Sequence, residues 1–305
     1  MKELVVISGK GGTGKTSLVA CLAALAENKM LADCDVDAAD LHLVLEPTVK
    51  SRQQFVGGKM ARINSDLCTG CGRCADLCRF DAICVDQRDE HGAAKTYRVD
   101  PIACDGCGVC VEFCPEGAIE FDDWISGEWF VSETRHGPMV HAKLGIAEAN
   151  SGKLVTLVRN RARELAEQAG LDLMLVDGSP GIGCPVIASV AGTDLALAVT
   201  EPTAAGFHDL ERIVALADHF NVPVGVCINK WDLNGEVSHE IEQWCDSNGA
   251  RVFGKLPYDH AFTYAQVKGK SLIEYSPKSP TARAVRRLWS EVQDALKNGG
   301  GRDGE

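Results

Sequence analysis

Leu4-Val5-Val6-Ile7-Ser8-Gly9-Lys10-Gly11-Gly12-Thr13-Gly14-Lys15-Thr16 is the stretch that decides the fold. Its first four residues form an apolar run of the kind a buried parallel strand shows. After Ser8, the eight residues Gly9–Thr16 fit G-x-x-x-x-G-K-[ST], and beyond them Leu18, Cys21, Leu22 and Leu25 recur at helical spacing through residues 15–28. Strand, glycine-rich turn and helix in that order are the context of a phosphate-binding loop. Its glycines let backbone N–H groups face a β-phosphate, and the helix N-terminus adds partial positive charge. Lys15 then reaches the β- and γ-oxygens, and Thr16 is placed to ligate Mg²⁺. The candidate nucleotide-binding residues are Gly9, Lys10, Gly11, Gly12, Thr13, Gly14, Lys15, Thr16 and Ser17.

Working outward, apolar segments recur at residues 171–176, 195–200 and 222–228, separated by helical stretches near 151–169 and 204–219. This alternation predicts an α/β fold, a doubly wound and mostly parallel sheet. Two acidic sites fall at carboxyl ends of its strands, where such sheets bind ligands. One is Asp33-Cys34-Asp35-Val36-Asp37-Ala38-Ala39-Asp40. The other is Asp177, which closes Leu173-Met174-Leu175-Val176 and opens Gly178-Ser179-Pro180-Gly181. Asp177 is the expected carboxylate beside Mg²⁺, and its glycines permit a loop that senses a γ-phosphate.

The segment 55–121 breaks the alternation, and fourteen cysteines in 305 residues are unevenly spread, with nine between Cys68 and Cys114. Two similar runs stand there: Cys68-x-x-Cys71-x-x-Cys74-x-x-x-Cys78 and Cys104-x-x-Cys107-x-x-Cys110-x-x-x-Cys114, an internal duplication. The N-terminal apolar run is too short for a signal-peptide core and no run approaches the length of a membrane span, so a reducing cytoplasm is expected and metal is favoured over disulfides. The spacing resembles that of bacterial two-cluster ferredoxins, in which the fourth cysteine of each run ligates the other cluster. That resemblance assigns one [4Fe-4S] cluster to Cys68, Cys71, Cys74 and Cys114, and a second to Cys104, Cys107, Cys110 and Cys78. Zinc is the alternative metal, although its sites ordinarily take four ligands in two pairs. Arg79 replaces the proline that usually follows the fourth cysteine, as Pro115 does in the second run. Cys84, Cys21, Cys34 and Cys227 read as packed thiols.

The spelling Gly9-Lys10-Gly11-Gly12-x-Gly14-Lys15-Thr16 is similar to the deviant P-loop of the MinD, ParA, Mrp and nitrogenase iron protein superfamily of ATPases. The resemblance implies that ATP and Mg²⁺ bind between two subunits, in a homodimer or a related heterodimer. It puts Lys10 in trans on the partner's nucleotide, has Asp35 orient the attacking water, makes Asp177-x-x-Pro180-Gly181 a switch loop, and places Asn229 at the base, with Leu256-Pro257-Tyr258 a weaker candidate. Cys184 stands at the offset of a cluster-ligating cysteine in the nitrogenase iron protein, but no second cysteine accompanies it and its role stays open.

Residues 1–54 and 122–305 are therefore expected to form one P-loop ATPase core, with 55–121 an inserted ferredoxin-like domain carrying two [4Fe-4S] clusters. Three functions fit: ATP-driven electron transfer to a redox partner, carriage or assembly of an iron–sulfur or other metal cofactor for a partner protein, and MinD-like spatial organisation. Saturated cluster ligation favours the first. With 31 Lys and Arg against 43 Asp and Glu, the net charge of -12 argues against nucleic acid. Residues 281–297 set Val285, Leu288, Trp289, Val292 and Leu296 on one face; a helix packed on the core is expected rather than one lying on a membrane, with an acidic glycine-rich tail after it.

Overall fold

The computed structural model describes residues 1–37, 39–145 and 151–298; the glycine-rich tail lies outside them. The chain begins β1 (Lys2–Ser8), α1 (Lys15–Leu25), β2 (Lys29–Asp33), α2 (Leu41–Leu45) and β3 (Thr48–Ile63). It continues α3 (Arg73–Leu77), β4 (Ile83–Arg88), β5 (Ala94–Val99), α4 (Val109–Glu112), β6 (Ile119–Thr134) and β7 (Gly137–Leu144). There follow α5 (Ser151–Gln168), β8 (Leu173–Pro180), α6 (Cys184–Val190), β9 (Leu195–Thr200), α7 (Ala204–His219) and β10 (Val224–Asn229). The last are α8 (Gly235–Ser247), β11 (Arg251–Leu256), α9 (Ala261–Val267), α10 (Leu272–Tyr275) and α11 (Pro280–Asn298).

Two compact units result. The first comprises Met1–Gln53, Trp129–Lys143 and the chain from Ser151 onward; the second comprises Gln54–Glu128 with the short segment from Leu144. The division falls inside β3 and β6, strands that the sequence hides because β3 is exposed at most positions and so lacks apolar alternation.

In the first unit the sheet runs β11-β10-β9-β1-β8-β2-β7 before reaching β6 and β3. Every pairing from β11 through β7 is parallel. Leu4, Val5, Val6 and Ile7 are fully buried, as a central strand covered on both faces requires. Helix α1 stops at Leu25, short of the 28 expected, because Ala26 is extended and Asn28 takes a positive φ that turns the chain into β2. The amphipathic α11 buries Val285, Leu288, Trp289, Val292 and Leu296 in the core cluster, with Leu288 packed against Gly254 of β11. Its apolar face is thus already covered, as the sequence leads one to expect, and no described helix is long and apolar enough to cross a membrane.

The second unit shows its duplication in the backbone. Residues 36 positions apart repeat the same hydrogen bonds: Cys68 N donates to Asn64 O and Cys104 N to Asp100 O, while Asp81 N and Gly117 N donate to Cys78 O and Cys114 O. Helices α3 and α4 occupy equivalent places, and β4 pairs antiparallel with β5.

Candidate functional site

The loop after β1 lies at the carboxyl ends of parallel strands, where β8 and β9 flank β1 on opposite sides. Gly14, at φ 90°, caps α1, and a Cβ there would stand 2.5 Å from Asn229 Nδ2, so the loop needs glycine on two counts. Asn229 is engaged by the loop as well as lining the cavity beside it. Its Nδ2 donates to Thr13 O at 2.7 Å and its Oδ1 accepts from Lys230 N at 3.0 Å, which makes it a brace for the phosphate loop. Lys230 adds a second brace, donating from Nζ to Gly12 O at 3.1 Å.

Lys15 is 5% exposed and its Nζ lies 2.5 Å from Asp177 Oδ1 and 3.3 Å from Asp35 Oδ2. Asp33, opposite Asp177 across the β2–β8 pairing, completes a group of three carboxylates. Burial pulls the Lys15 ammonium toward neutrality, but Asp177, Asp35 and Asp33 outweigh it and hold its pKa above the ordinary lysine value. Burial, reinforced by the Asp177 charge, pushes Asp33 well above the usual carboxylate range. Among the described residues, Asp177 Oδ2, Asp33 Oδ2 and Thr13 Oγ1 are buried without a hydrogen-bond partner. Buried polar atoms left open beside a phosphate loop fit a hydrated divalent cation and its nucleotide, with Thr16 and Asp177 as the residues that would hold Mg²⁺.

A cavity of about 290 Å³ opens on the far side of the loop, lined by Gly12, Gly14, Ser17, Asn229, Lys230 and the stretch Leu256–Asp259, with Phe262, Thr263 and Gln266 of α9. The weak sequence signal at Leu256-Pro257-Tyr258 therefore marks a real wall. Two anchors fix it: Tyr258 N donates to Asp232 Oδ1 at 2.7 Å, and Thr281 Oγ1 donates to Asp259 Oδ2 at 2.6 Å. Lys10 points elsewhere, to Glu201 Oε1 at 2.5 Å. Glu201 is a residue that sequence reading missed, since one acid after a strand carries no motif.

In the second unit, one cavity is lined by Cys68, Cys71, Cys74 and Cys114, and another by Cys78, Cys104, Cys107 and Cys110. Gly70 and Gly106 hold matching left-handed turns; a Cβ on either would come 2.2 Å from a carbonyl oxygen, that of Ala94 or of Lys59. Among the described residues no three His, Cys, Asp or Glu side chains converge as around a single ion. Cys84 is half-buried, Cys184 exposed, and Cys21, Cys34 and Cys227 buried in the core, where burial pushes Cys21 and Cys227 up to about 12.

The fold and the loop after β1 define a P-loop nucleotide-binding protein of the doubly wound α/β class. Residues 4–273 match the CobQ/CobB/MinD/ParA nucleotide-binding domain, and the chain belongs to that family. A protein of Methanocaldococcus jannaschii described as uncharacterised is 30% identical over 297 residues, 96% of this chain and 97% of that one. A 54-residue stretch, 18% of each chain, is 32% identical to nitrogenase iron protein 2 of Methanothermococcus thermolithotrophicus. The fold is similar to that of MinD from Pyrococcus horikoshii complexed with Mg-ADP, with TM-score 0.55, 16% identity, and 98% and 99% of the two chains covered. Apo McdA of Cyanothece gives TM-score 0.56 at 14% identity, over 97% of this chain and 99% of that one.

Proposed function

We propose that this chain is an ATPase of the MinD/ParA type whose nucleotide cycle is coupled to electron transfer by two [4Fe-4S] clusters. Cys68, Cys71, Cys74 and Cys114 would hold one, and Cys78, Cys104, Cys107 and Cys110 the other. The observation that carries the proposal is the division of these eight thiols between two cavities, each with its fourth cysteine supplied by the other repeat. A multi-iron cluster takes thiolates spread around a cavity wall, whereas a single zinc ion takes four that converge on one point. Bound clusters supply one-electron storage.

The remaining work falls to the chain's own residues. Backbone N–H groups from Gly9 to Thr16 cradle the phosphates, Lys15 leaves Asp177 for the β- and γ-oxygens, and Thr16 and Asp177 would hold Mg²⁺. Asp35, released from Lys15 by the same movement, orients the attacking water, and Lys10 acts on the nucleotide of a second subunit. Eight cysteines saturate two clusters, which supports electron transfer over surrender of a cluster to an acceptor. A second reading, spatial organisation, draws on the whole-chain likeness to MinD and McdA structures. It is weakened by α11, whose apolar face is already spent on the core.

The test is iron analysis of anaerobically purified protein, then EPR of the dithionite-reduced protein with and without ATP and Mg²⁺. About eight irons and a nucleotide-dependent change of spectrum or midpoint are expected. A zinc-only protein overturns the cluster assignment; complete iron transfer to an apo-acceptor replaces electron transfer by carriage.

A further inference from the structure

We infer that Glu201 is a positioning residue that keeps Lys10 on its own subunit until nucleotide is bound, so that the chain does not present its trans-acting lysine prematurely. The inference deepens the reading above and rests on its nucleotide-sandwich dimer. Glu201 follows the last residue of β9, and its side chain is only 15% exposed. Its two oxygens are divided between two ammonium groups, Oε1 to Lys10 Nζ at 2.5 Å and Oε2 to Lys230 Nζ at 3.1 Å. Burial alone would raise the Glu201 carboxyl, but Lys10 and Lys230 outweigh it and hold it below the usual range, so it is a charged acceptor near neutral pH.

The two legs of this bridge differ. Lys230 is pinned: its residue sits in a left-handed turn at φ 56°, and its Nζ also donates to Gly12 O. Lys10 is the looser leg, with a side chain 37% exposed and a backbone in the glycine-rich loop itself. An ion pair with one exposed partner is weak and is easily exchanged for a denser negative charge. The phosphates of a nucleotide on a second subunit offer that charge. Glu201 thus sets a threshold: Lys10 crosses to the partner only when phosphate is there to outbid one carboxylate. The fixed Lys230 leg keeps Glu201 in place to recapture Lys10 when the phosphate leaves.

Two measurements test this with Glu201→Gln, which keeps the side-chain shape and removes the charge. In nucleotide-free protein, acylation of Lys10 by acetic N-hydroxysuccinimide ester, followed by mass spectrometry, should run several-fold faster in Glu201→Gln than in the wild type. Equal rates overturn the contact. In analytical ultracentrifugation with ATP and Mg²⁺, the concentration midpoint for dimer formation should fall several-fold in Glu201→Gln, while Lys10→Ala and Lys10→Ala/Glu201→Gln should share one midpoint. An unmoved or raised midpoint in Glu201→Gln, or an equal fall in the Lys10→Ala background, overturns the positioning role. A wild-type chain that stays monomeric with ATP at every concentration overturns the sandwich reading and the positioning role with it, whereas the acylation rates still judge the Glu201–Lys10 contact itself.

Discussion

Cys78 and Cys114 stand at equivalent places in two repeats 36 residues apart, and each lines the cavity of the other repeat's first three cysteines. The exchange has a consequence for single substitutions. On the proposed two-cluster assignment, replacing Cys114 by Ser would remove a ligand from the Cys68, Cys71 and Cys74 set while leaving Cys104, Cys107 and Cys110 with Cys78. Each of Cys78→Ser and Cys114→Ser should therefore lower iron from about eight to about four per chain. The loss should also fall on the cavity of the opposite repeat. Mapping the affected half by paramagnetic broadening of resonances from Tyr97, beside the first cavity, and Val99, beside the second, checks the crossing. If Cys114→Ser broadened or spared the same set as Cys110→Ser, the exchange would be refuted.

Lys15 balances three buried carboxylates, so its removal acts twice. Lys15→Ala should abolish measurable ATP hydrolysis, and it should also cost about 3 kcal/mol of stability in the nucleotide-free protein by removing the ammonium group that pairs with buried Asp177. Asp35→Ala should behave differently, losing turnover by roughly 100-fold or more while retaining nucleotide binding. Steady-state hydrolysis, ADP titration calorimetry and urea denaturation separate the two patterns. Unchanged turnover in Asp35→Ala would remove that residue from the mechanism.

Acid sensitivity should arise at His141, away from the phosphate loop. The ring is 8% exposed, stacks on Phe130 with centroids 5.0 Å apart, and shares a 2.9 Å hydrogen bond with Ser132 Oγ. Burial, helped by His42, lowers its pKa from 6.5 to about 4. The unfolded chain then binds more protons between those values, so stability is full above about pH 6.5 and is lost as pH falls toward 4. The loss should amount to roughly 2–3 kcal/mol. Urea midpoints at pH 7 and pH 5 should differ in the wild type and differ less in His141→Gln.

The legible parts of this chain are those where chemistry demands fixed spacing. The phosphate loop with its Lys15 is a local pattern, because a backbone cradle tolerates few alternatives, whereas the sorting of Cys78 and Cys114 to opposite cavities is suggested in the sequence only by the ferredoxin resemblance. Long-range partners leave no such trace. Glu201 reaches Lys10 between the ends of the neighbouring strands β9 and β1, and Ser132 meets His141 across a hairpin, yet both read as ordinary polar residues. Asn229 shows the intermediate case: the residue was visible as part of the nucleotide site, but its amide braces Thr13, a use only the packed loop reveals. Strand β3 is hidden for a different reason, since burial along it is sparse and a strand exposed on both faces has no period to read.

The last helix offers the sharpest separation between a core element and a membrane anchor. Leu288 is fully buried, and its side chain packs against Gly254, where a Cβ would come within 3.2 Å of it. A buried leucine truncated to alanine loses about 2–5 kcal/mol, from the transferred methyls and the cavity left behind. Leu288→Ala should therefore lower the urea midpoint of the whole first unit, and Arg287→Ala, one residue away on the exposed face, should change it by less than about 0.5 kcal/mol. Sedimentation with vesicles containing anionic lipid should leave the wild-type protein in the supernatant with or without ATP, because exposing the apolar face would unpack Val285, Leu288, Trp289 and Val292 together. ATP-dependent pelleting with an unchanged urea midpoint for Leu288→Ala would show that α11 leaves the core at little cost, and would restore the membrane-bound organiser as the better reading.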